Sequence, residues 1–188
     1  MTAAALILID IQTGFDAPVW GPRNNPGAEA NAGRLLARWR EAGAPVIHIR
    51  HVSREPQSPL GPETGGTAFK PEVAPRPGEA IFEKSVNSAF IGTGLEDHLR
   101  EAGIDQLVIC GLTTPHCVST TVRMAANLGF SVRLAHDACA SFAANARTDW
   151  AAGMAPLSAE EIHRGAVSHL HGEFATALST ASLLADAP

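Results

Sequence analysis

Short apolar segments alternate with amphipathic segments along the chain. The apolar segments consist mostly of Ala, Ile, Leu and Val, as is typical of strands buried on both faces of a parallel sheet. They predict strands at residues 4–10, 45–50, 80–83, 106–110, 131–135 and 174–178. The amphipathic segments predict helices at residues 28–42, 93–102, 115–128 and 158–169, followed by a short terminal helix. We therefore expect one α/β domain over residues 1–188, with three layers and a mostly parallel six-stranded sheet.

Residues with strong helix-boundary preferences support two of these helices. Thr114 precedes Pro115, so the sequence predicts Thr114 as an N-cap with proline at the first helical position. Ser158 and Glu161 have the spacing of a capping box. Residues 51–78, in contrast, are rich in Pro and Gly and lack periodicity. A loop of that length inside a compact domain is expected to cover a site.

Length and charge limit the classes of function. A chain of 188 residues is long enough for one α/β domain with a sizeable core and too short for two comfortable ones. Its net charge of −5 gives no electrostatic reason to expect nucleic acid or an anionic membrane as a partner. No segment approaches the length that is required to span a bilayer. We therefore expect neither nucleic acid nor a membrane among its partners.

The cysteines and the first residues indicate the compartment. Cys110, Cys117 and Cys139 are odd in number and form no CxxC pair. This argues against a disulfide framework or a structural zinc site and is typical of a reducing compartment. Residues 3–9 are apolar, but no basic residue precedes them and Asp10 ends the run, unlike in a signal peptide. The sequence predicts a cytoplasmic location.

Three polar residues follow the ends of predicted strands: Asp10 after the first, Lys84 after the third and Cys117 soon after the fourth. In open parallel sheets, ligands bind beyond the carboxyl ends of the strands. An acid, an ammonium group and a thiol at that edge can accept the thiol proton, stabilise the thiolate and return the proton to a leaving group. Cys117 also lies in the first turn of its predicted helix, whose positive end is expected to lower the pKa of the thiol.

Each of these residues also has a plain structural interpretation. Cysteines in a first helical turn are more often packed and inert than nucleophilic. An acid at a strand end is often a cap or turn residue, and a lone lysine is usually solvated. The predicted positions on the sheet join the three residues into one hypothesis, but they do not show that the side chains touch.

Three segments of the chain resemble segments of the isochorismatase-like cysteine hydrolase family. Residues 6–12 (LILIDIQ) resemble the opening strand of the family with its catalytic acid. Residues 82–95 resemble its lysine segment, and residues 108–118 (VICGLTTPHCV) its nucleophile segment. The three occur in the family order, and the similarity extends over most of the chain. The resemblance implies a Rossmann-like parallel sheet and a covalent mechanism through a cysteine thioester.

The same resemblance implies roles for individual residues. It makes Asp10, Lys84 and Cys117 the catalytic triad. It also implies a cis peptide bond between Leu112 and Thr113, which would aim the Thr113 N–H alongside that of Cys117 as an oxyanion hole. It implies no cofactor. Relatives in the family commonly assemble as dimers or tetramers, so we expect a homo-oligomer.

Metal binding distinguishes one branch of the family, the nicotinamidases, which carry an Asp-x-His pair and a further His as metal ligands. The corresponding residues 48–51 read HIRH here, and no histidine lies between His51 and Lys84. We therefore expect no metal centre. The remaining histidines toward the C-terminal end lack a coordinating set and are expected at the surface: His163, His169 and His171.

Several residues near the predicted site are candidates for the pocket wall: Gln12, Phe15, Phe90 and His116, with weaker support for Trp20. Phe15 and Phe90 match positions where the family places pocket residues, although core packing explains each of them equally well. Arg50 and His51, at the end of the second predicted strand, are open between substrate contact and solvation.

The favoured function is hydrolysis of an amide or carbamoyl C–N bond in a small molecule. The nearest resemblances are to N-carbamoylsarcosine amidohydrolase-like and streptothricin hydrolase-like members of the family. One alternative is an isochorismatase-type vinyl ether hydrolase. Cys117 argues against it, because isochorismatase has no cysteine nucleophile at the equivalent place. The other alternative is a non-catalytic small-molecule-binding protein on the same fold.

Overall fold

The computed structural model describes residues 3–186, and within them six strands form one sheet. The strands are β1 (Ala5–Ile9), β2 (Val46–His51), β3 (Ala80–Lys84), β4 (Gln106–Leu112), β5 (Ser131–Ala140) and β6 (Thr176–Leu178). The helices are α1 (Ala28–Glu41), α2 (Leu95–Glu101), α3 (Ser119–Asn127), α4 (Ala159–Leu170) and α5 (Thr180–Ala185). The sheet order is β3-β2-β1-β4-β5-β6, and every neighbouring pair is parallel. Helix α1 packs against α5, and α3 against α4. The predicted three-layer α/β fold is therefore confirmed.

The centre of the sheet is apolar on both faces, as expected for parallel strands between helices. All five residues of β1 are buried. Trp39 of α1 is fully buried, and its indole Nε1 donates to the Ala4 carbonyl oxygen at 2.7 Å. Within residues 3–186, no helix combines the length and the apolar character that a bilayer crossing requires.

Strands β1 and β4 approach each other closely at the edge where both end. Gly111 has a φ of 130°, and a Cβ at this position would lie 2.0 Å from the Ile9 carbonyl oxygen. Only glycine fits such an approach. It brings the residue that follows β1 next to the residues that follow β4.

Two predicted boundaries differ in the structure. The helix predicted at residues 115–128 opens with a π-helical turn, Thr114–Val118, before α3 begins. The predicted N-cap role of Thr114 is wrong, because its Oγ1 instead makes a 2.9 Å hydrogen bond with Nδ1 of His163. His163 is consequently buried, contrary to the expectation of a surface position. The capping box of Ser158 and Glu161 is confirmed.

The long loop between β2 and β3 packs on the segment that follows Asp10. The Thr13 N–H donates to the Ala68 carbonyl oxygen, and the Gly14 N–H to that of Gly66, both at 2.9 Å. A Cβ at Gly66 would lie 1.9 Å from the Pro59 carbonyl oxygen, so the contact needs glycine. The loop therefore fixes the chain beyond β1.

Candidate active site

Asp10 leaves the end of β1 in an unusual conformation. Its φ of 51° lies in the left-handed region, which Asp tolerates better than most residues. Its N–H still donates to the Ile49 carbonyl oxygen of β2 at 3.0 Å, so the residue stays attached to the sheet. Strained residues of this kind, which typically cost about 1–3 kcal/mol, cluster at functional sites. Here the turn leaves the carboxylate fully buried beyond the strand end.

Lys84 meets this carboxylate from β3. The sheet register pairs Lys84 with His51 of β2, so the two side chains are neighbours on the same face of the sheet. The Lys84 Nζ donates to Asp10 Oδ2 at 2.6 Å and lies 3.1 Å from His51 Nδ1. The side chains of Asp10 and Lys84 are both inaccessible to solvent. The result is a buried ion pair with an imidazole on the ammonium group.

Cys117 reaches the pair from the π-helical turn after β4. One ligand atom from each of Asp10, His51 and Cys117 falls in a group within 4.8 Å of one another. The thiol also lies 3.8 Å from Oδ1 of Asn87, an exposed residue. Cys117 itself is 7% exposed. The structure thus places the acid, the ammonium group and the thiol together.

Electrostatics keep the proton on the thiol at rest. Burial and, to a smaller extent, the charge of Asp10 together raise the pKa of Cys117 to about 12, while the Lys84 ammonium acts in the opposite direction. The expectation of a lowered thiol pKa was therefore wrong. The helix start acts on a thiol that is already withdrawn from water beside a carboxylate, and these two effects are larger.

Asp10 is the group that can receive this proton. Burial raises its pKa above the ordinary value, and Lys84 only partly offsets the burial. Its Oδ2 is bound to Lys84, whereas Oδ1 is buried without a hydrogen-bond partner among the described residues. A carboxylate with a raised pKa and one free oxygen is a better base than an exposed one. The arrangement suits proton exchange between Asp10 and Cys117.

The other two thiols have no comparable access. Cys110 and Cys139 are both inaccessible to solvent. Burial raises the pKa of Cys139 to about 12 and that of Cys110 well above its ordinary value. Cys117 is the cysteine with both an exposed fraction and a neighbouring base.

Thr113 lies directly after β4, and the peptide bond between Leu112 and Thr113 is cis. The Thr113 carbonyl oxygen accepts hydrogen bonds from the N–H groups of His116 and Val118, at 3.1 and 3.3 Å. These contacts fix the peptide unit above the turn that carries Cys117. The oxyanion-hole role of the Thr113 and Cys117 N–H groups stays a prediction.

Gln12 has a different task from the one predicted. Its Nε2 donates to the carbonyl oxygens of His51 and Thr67 at 2.9 and 3.2 Å, and its Oε1 accepts from the His51 N–H at 2.7 Å. The residue is fully buried. Its amide is therefore committed to holding the backbone of β2 and of the long loop, and the predicted substrate contact is replaced by a positioning role.

The aromatic candidates fall into two clusters. Phe15 packs with Trp20 and Phe142, with ring centroids 5.1 and 5.8 Å from its own, beside the end of β4. The Trp20 Nε1 donates to the Gly14 carbonyl oxygen at 2.8 Å, so this ring is held in place. Phe90 stacks on Phe130 in the main core. His116 is exposed at the start of the turn. The substrate contacts of Phe15, Phe90 and His116 stay predictions.

A cavity of about 550 Å³ opens beside Lys84. It is formed by the start of the long loop and the segment after β3: Val52, Ser53, Arg54, Pro62, Glu83, Lys84, Ser85, Val86, Ile91 and Gly92. This volume lies in the range of small-molecule pockets. Cys117, Asp10 and His51 are not part of its wall, so the cavity borders the segment around Lys84 and does not contain the thiol.

Comparison with known proteins places this chain in a family. The family model of the isochorismatase domain matches residues 4–182 of this chain. The chain belongs to the isochorismatase family. A crystal structure of a hydrolase of the isochorismatase family from Chromobacterium violaceum ATCC 12472 is 49% identical and has a TM-score of 0.91. The match covers 97% of this chain and 92% of that one.

Three curated relatives are similar to this isochorismatase-family chain, and two of them are named for an activity. The isochorismatase family protein YrdC of Bacillus subtilis is 47% identical over 97% of this chain and 95% of its own length. A streptothricin hydrolase of Streptomyces noursei is 38% identical over 73% of this chain and 50% of its own. The maleamate amidohydrolase of Pseudomonas putida is 31% identical over 67% of each. The chain is therefore similar to hydrolases, and the family membership makes it one.

The cluster of Asp10, His51 and Cys117 has the donor types of a metal site. The Lys84 ammonium, however, contacts both Asp10 and His51. A positive charge already lies among the donor atoms and repels a second cation. The absence of a metal centre in this isochorismatase-family member stays a prediction.

Two polar residues of the site were not predicted as members of it. His51 was left open between substrate contact and solvation, and the structure places it on Lys84. Asn87 lies beside the thiol although it was considered only as part of a resembling segment. The position of Asn87, three residues after Lys84, is the one signal in the sequence that it lies near the site.

Proposed function

We propose that this chain is a cysteine hydrolase that cleaves an amide or carbamoyl C–N bond of a small molecule through a thioester on Cys117. The observation that carries the proposal is the arrangement of Asp10. One carboxylate oxygen is held by Lys84, and the other is free within the cluster that contains the Cys117 thiol. Similarity to an amidohydrolase and to a streptothricin hydrolase supports a hydrolytic reaction of this class.

In the first half of the reaction, Cys117 Sγ attacks the substrate carbonyl carbon while Asp10 Oδ1 accepts the thiol proton. A C–S bond forms, and the carbonyl oxygen becomes an oxyanion, for which the Thr113 and Cys117 N–H groups are the proposed donors. The C–N bond then breaks as Asp10 returns the proton to the departing amine. The products of this half are a thioester and a free amine.

In the second half, water attacks the thioester carbonyl carbon and gives a proton to Asp10. The C–S bond breaks, the acid product leaves, and the proton passes from Asp10 to the Cys117 sulfur. Each half uses Asp10 once as base and once as acid, so the enzyme returns to its starting protonation state. Lys84 keeps its positive charge beside the site whenever negative charge develops on the sulfur.

The chemistry of the thiol favours an acyl substrate over a vinyl ether. A nucleophilic sulfur requires an electrophilic carbonyl carbon, whereas hydrolysis of a vinyl ether begins with protonation of the double bond. The limited exposure of Cys117 favours a small molecule over a protein chain, and the cavity of about 550 Å³ beside Lys84 has the size for one.

The test is a panel of small amides, ureas, carbamates and one vinyl ether, assayed for released amine or carbonyl product. The wild-type protein is compared with Cys117→Ala and with Cys139→Ala, which removes a buried thiol outside the cluster. We expect amine release from at least one C–N substrate, lost in Cys117→Ala and retained in Cys139→Ala. Turnover of the vinyl ether alone, or equal activity of Cys117→Ala, would overturn the proposal.

A further inference from the structure

His51 stands between the long loop and the ion pair. Its backbone N–H and carbonyl oxygen are both bound by the Gln12 side chain, at 2.7 and 2.9 Å. Its Nδ1 lies 3.1 Å from the Lys84 Nζ. The imidazole therefore projects from a fixed backbone onto the ammonium group, and it is half-buried there.

The tautomer of the His51 imidazole follows from its contact with Lys84. A lysine ammonium group can only donate hydrogen bonds, so Nδ1 of His51 must be the acceptor and its ring proton must lie on Nε2. Burial and the Lys84 charge lower the pKa of His51 to about 4, which keeps the imidazole neutral at pH 7. Only the neutral ring has an acceptor nitrogen to offer.

The ammonium group of Lys84 has three protons and two hydrogen-bonding neighbours among the described residues. It donates to Asp10 Oδ2 and contacts His51 Nδ1, and its charge acts on the Cys117 thiol. A buried ammonium group without an acceptor for one of its protons is costly, so each partner restrains where the group can lie. The His51 acceptor opposes movement of the ammonium group away from Asp10, beside which the thiol lies.

We propose that His51 is a positioning residue of the reaction, which acts through Lys84. By accepting one ammonium proton at Nδ1, it holds the positive charge where it stabilises the Cys117 thiolate. The chain of contacts runs from Gln12 to the His51 backbone, from the imidazole to Lys84, and from Lys84 to Asp10, which lies beside Cys117. The inference rests on the nucleophilic role of Cys117 in the proposed function.

Two substitutions of His51 that are similar in shape to each other distinguish the effect of the hydrogen-bond acceptor from the effect of losing the ring. Asn at position 51 places Oδ1 near the location of the imidazole Nδ1 and keeps an acceptor for Lys84. Leu has nearly the same shape as Asn and offers no acceptor. A merely structural role of the ring would make His51→Asn and His51→Leu equally harmful.

The experiment measures the rate at which iodoacetamide alkylates Cys117 at pH 7, resolved by peptide mass spectrometry. It needs no substrate, so its failure is distinguishable from failure of the C–N hydrolase proposal. We expect His51→Leu to slow alkylation about tenfold, the factor that one ordinary hydrogen bond gives. His51→Asn should stay within about twofold of wild type. Equal rates in wild type and His51→Leu, or equal loss in both variants, would overturn the proposal.

His48 supplies the control on the same strand. It is fully buried, and its Nε2 lies 2.9 Å from Glu79 Oε2, away from Lys84. His48→Leu should lower the melting temperature and leave Cys117 alkylation unchanged. Should His51→Leu fail to fold, nitrogen-15 NMR of the wild-type imidazole decides the matter. The proposal requires the proton on Nε2, and a proton on Nδ1 of the neutral ring would contradict it.

Discussion

Two buried lysines of this chain bind carboxylates at similar distances, and their surroundings differ. Lys70, in the long loop, donates to Asp16 at 2.6 Å and to Glu29 at 2.9 Å. Lys84, at the end of β3, donates to Asp10 at 2.6 Å. Distance alone would describe both as buried salt bridges.

The Lys70 group is saturated with opposite charges. Glu29 also accepts two hydrogen bonds from the Arg23 guanidinium group, at 2.7 and 2.9 Å. Burial alone would raise the pKa of Glu29, but the bonds from Arg23 and Lys70 outweigh it and hold the pKa below its ordinary value. Charge is thus favoured in the folded state, and the group ties the long loop to the start of α1.

The Lys84 group is incompletely satisfied. Burial raises the pKa of Asp10 despite the ion pair, and one carboxylate oxygen has no partner among the described residues. The neighbouring thiol carries a proton that Asp10 can take. The Lys70 group stabilises a fixed set of charges. In the Lys84 group, by contrast, the Asp10 carboxylate can gain and lose a proton. The comparison thus contrasts a structural clamp with the pair that the proposed mechanism uses.

The largest expected effect is a loss of kcat when the carboxylate of the Lys84 group is changed, with no such loss in the Lys70 group. Asp10→Asn removes the proposed base and general acid, so kcat should fall by about a hundredfold or more. The variant should remain folded, because Asn tolerates a positive φ and its Oδ1 can still accept from Lys84. The measurement is kcat and melting temperature on one preparation.

Asp16→Asn is the matched control for that variant, because it makes the same chemical change on a carboxylate bound to Lys70. Its kcat should stay within about twofold of wild type. Near wild-type kcat in a folded Asp10→Asn variant would remove Asp10 from the proposed mechanism.

The next effect is on stability. Lys70→Met leaves Glu29 with Arg23 alone and removes the link from the loop to α1. Loss of one buried charged hydrogen-bond donor should lower the free energy of unfolding by about 2 kcal/mol. Urea unfolding measures this, and kcat per folded molecule should change less than twofold. A variant as stable as wild type would show that the Lys70 group is not a clamp.

The pH dependence of stability sharpens the comparison further. The folded-state pKa of Glu29 lies below its ordinary value of 4.5, so its stabilising contribution is present above pH 4.5 and is lost as pH falls through the folded pKa. Glu29→Gln should therefore be less stable than wild type at pH 7, with a difference that narrows on acidification below pH 4.5. A difference that is constant with pH would contradict the assigned ion pair.

The sequence predicts which residues lie at the edge of the sheet where the strands end, and therefore which residues can form the candidate site. Asp10, Lys84 and Cys117 each follow a predicted strand, and parallel strands end at a common edge. The contact between His51 and Lys84 depends on the register of β2 against β3. The strands are joined by the long irregular loop, so no local pattern determines which residues become partners.

Tertiary contacts also overrule two local rules. Thr114 is placed to cap a helix, but His163 of the distant α4 takes its hydroxyl group. Cys117 lies at a helix start, where thiol pKa values are usually lowered, yet burial and Asp10 raise its pKa. In both cases a residue that is distant in sequence determines the outcome, and a local helix-boundary preference does not take such a residue into account.

The smallest expected effect is that of a chelator. The Lys84 ammonium lies among the only cluster of metal-ligand type in residues 3–186, so the reaction is expected to need no metal ion. Dialysis against EDTA should leave kcat unchanged within error. Loss of turnover that zinc or manganese restores would show that a metal ion takes part.

The most direct measurement of the central claim is the mass of Cys117 during turnover. A substrate from the C–N panel is mixed with the protein, quenched in acid within the first turnover and digested for peptide mass spectrometry. The account predicts that the peptide with Cys117 gains the mass of the acyl group, while the peptides with Cys110 and Cys139 stay unmodified. Turnover with an unmodified Cys117 under conditions that preserve thioesters, or an acyl group on another residue, would contradict it.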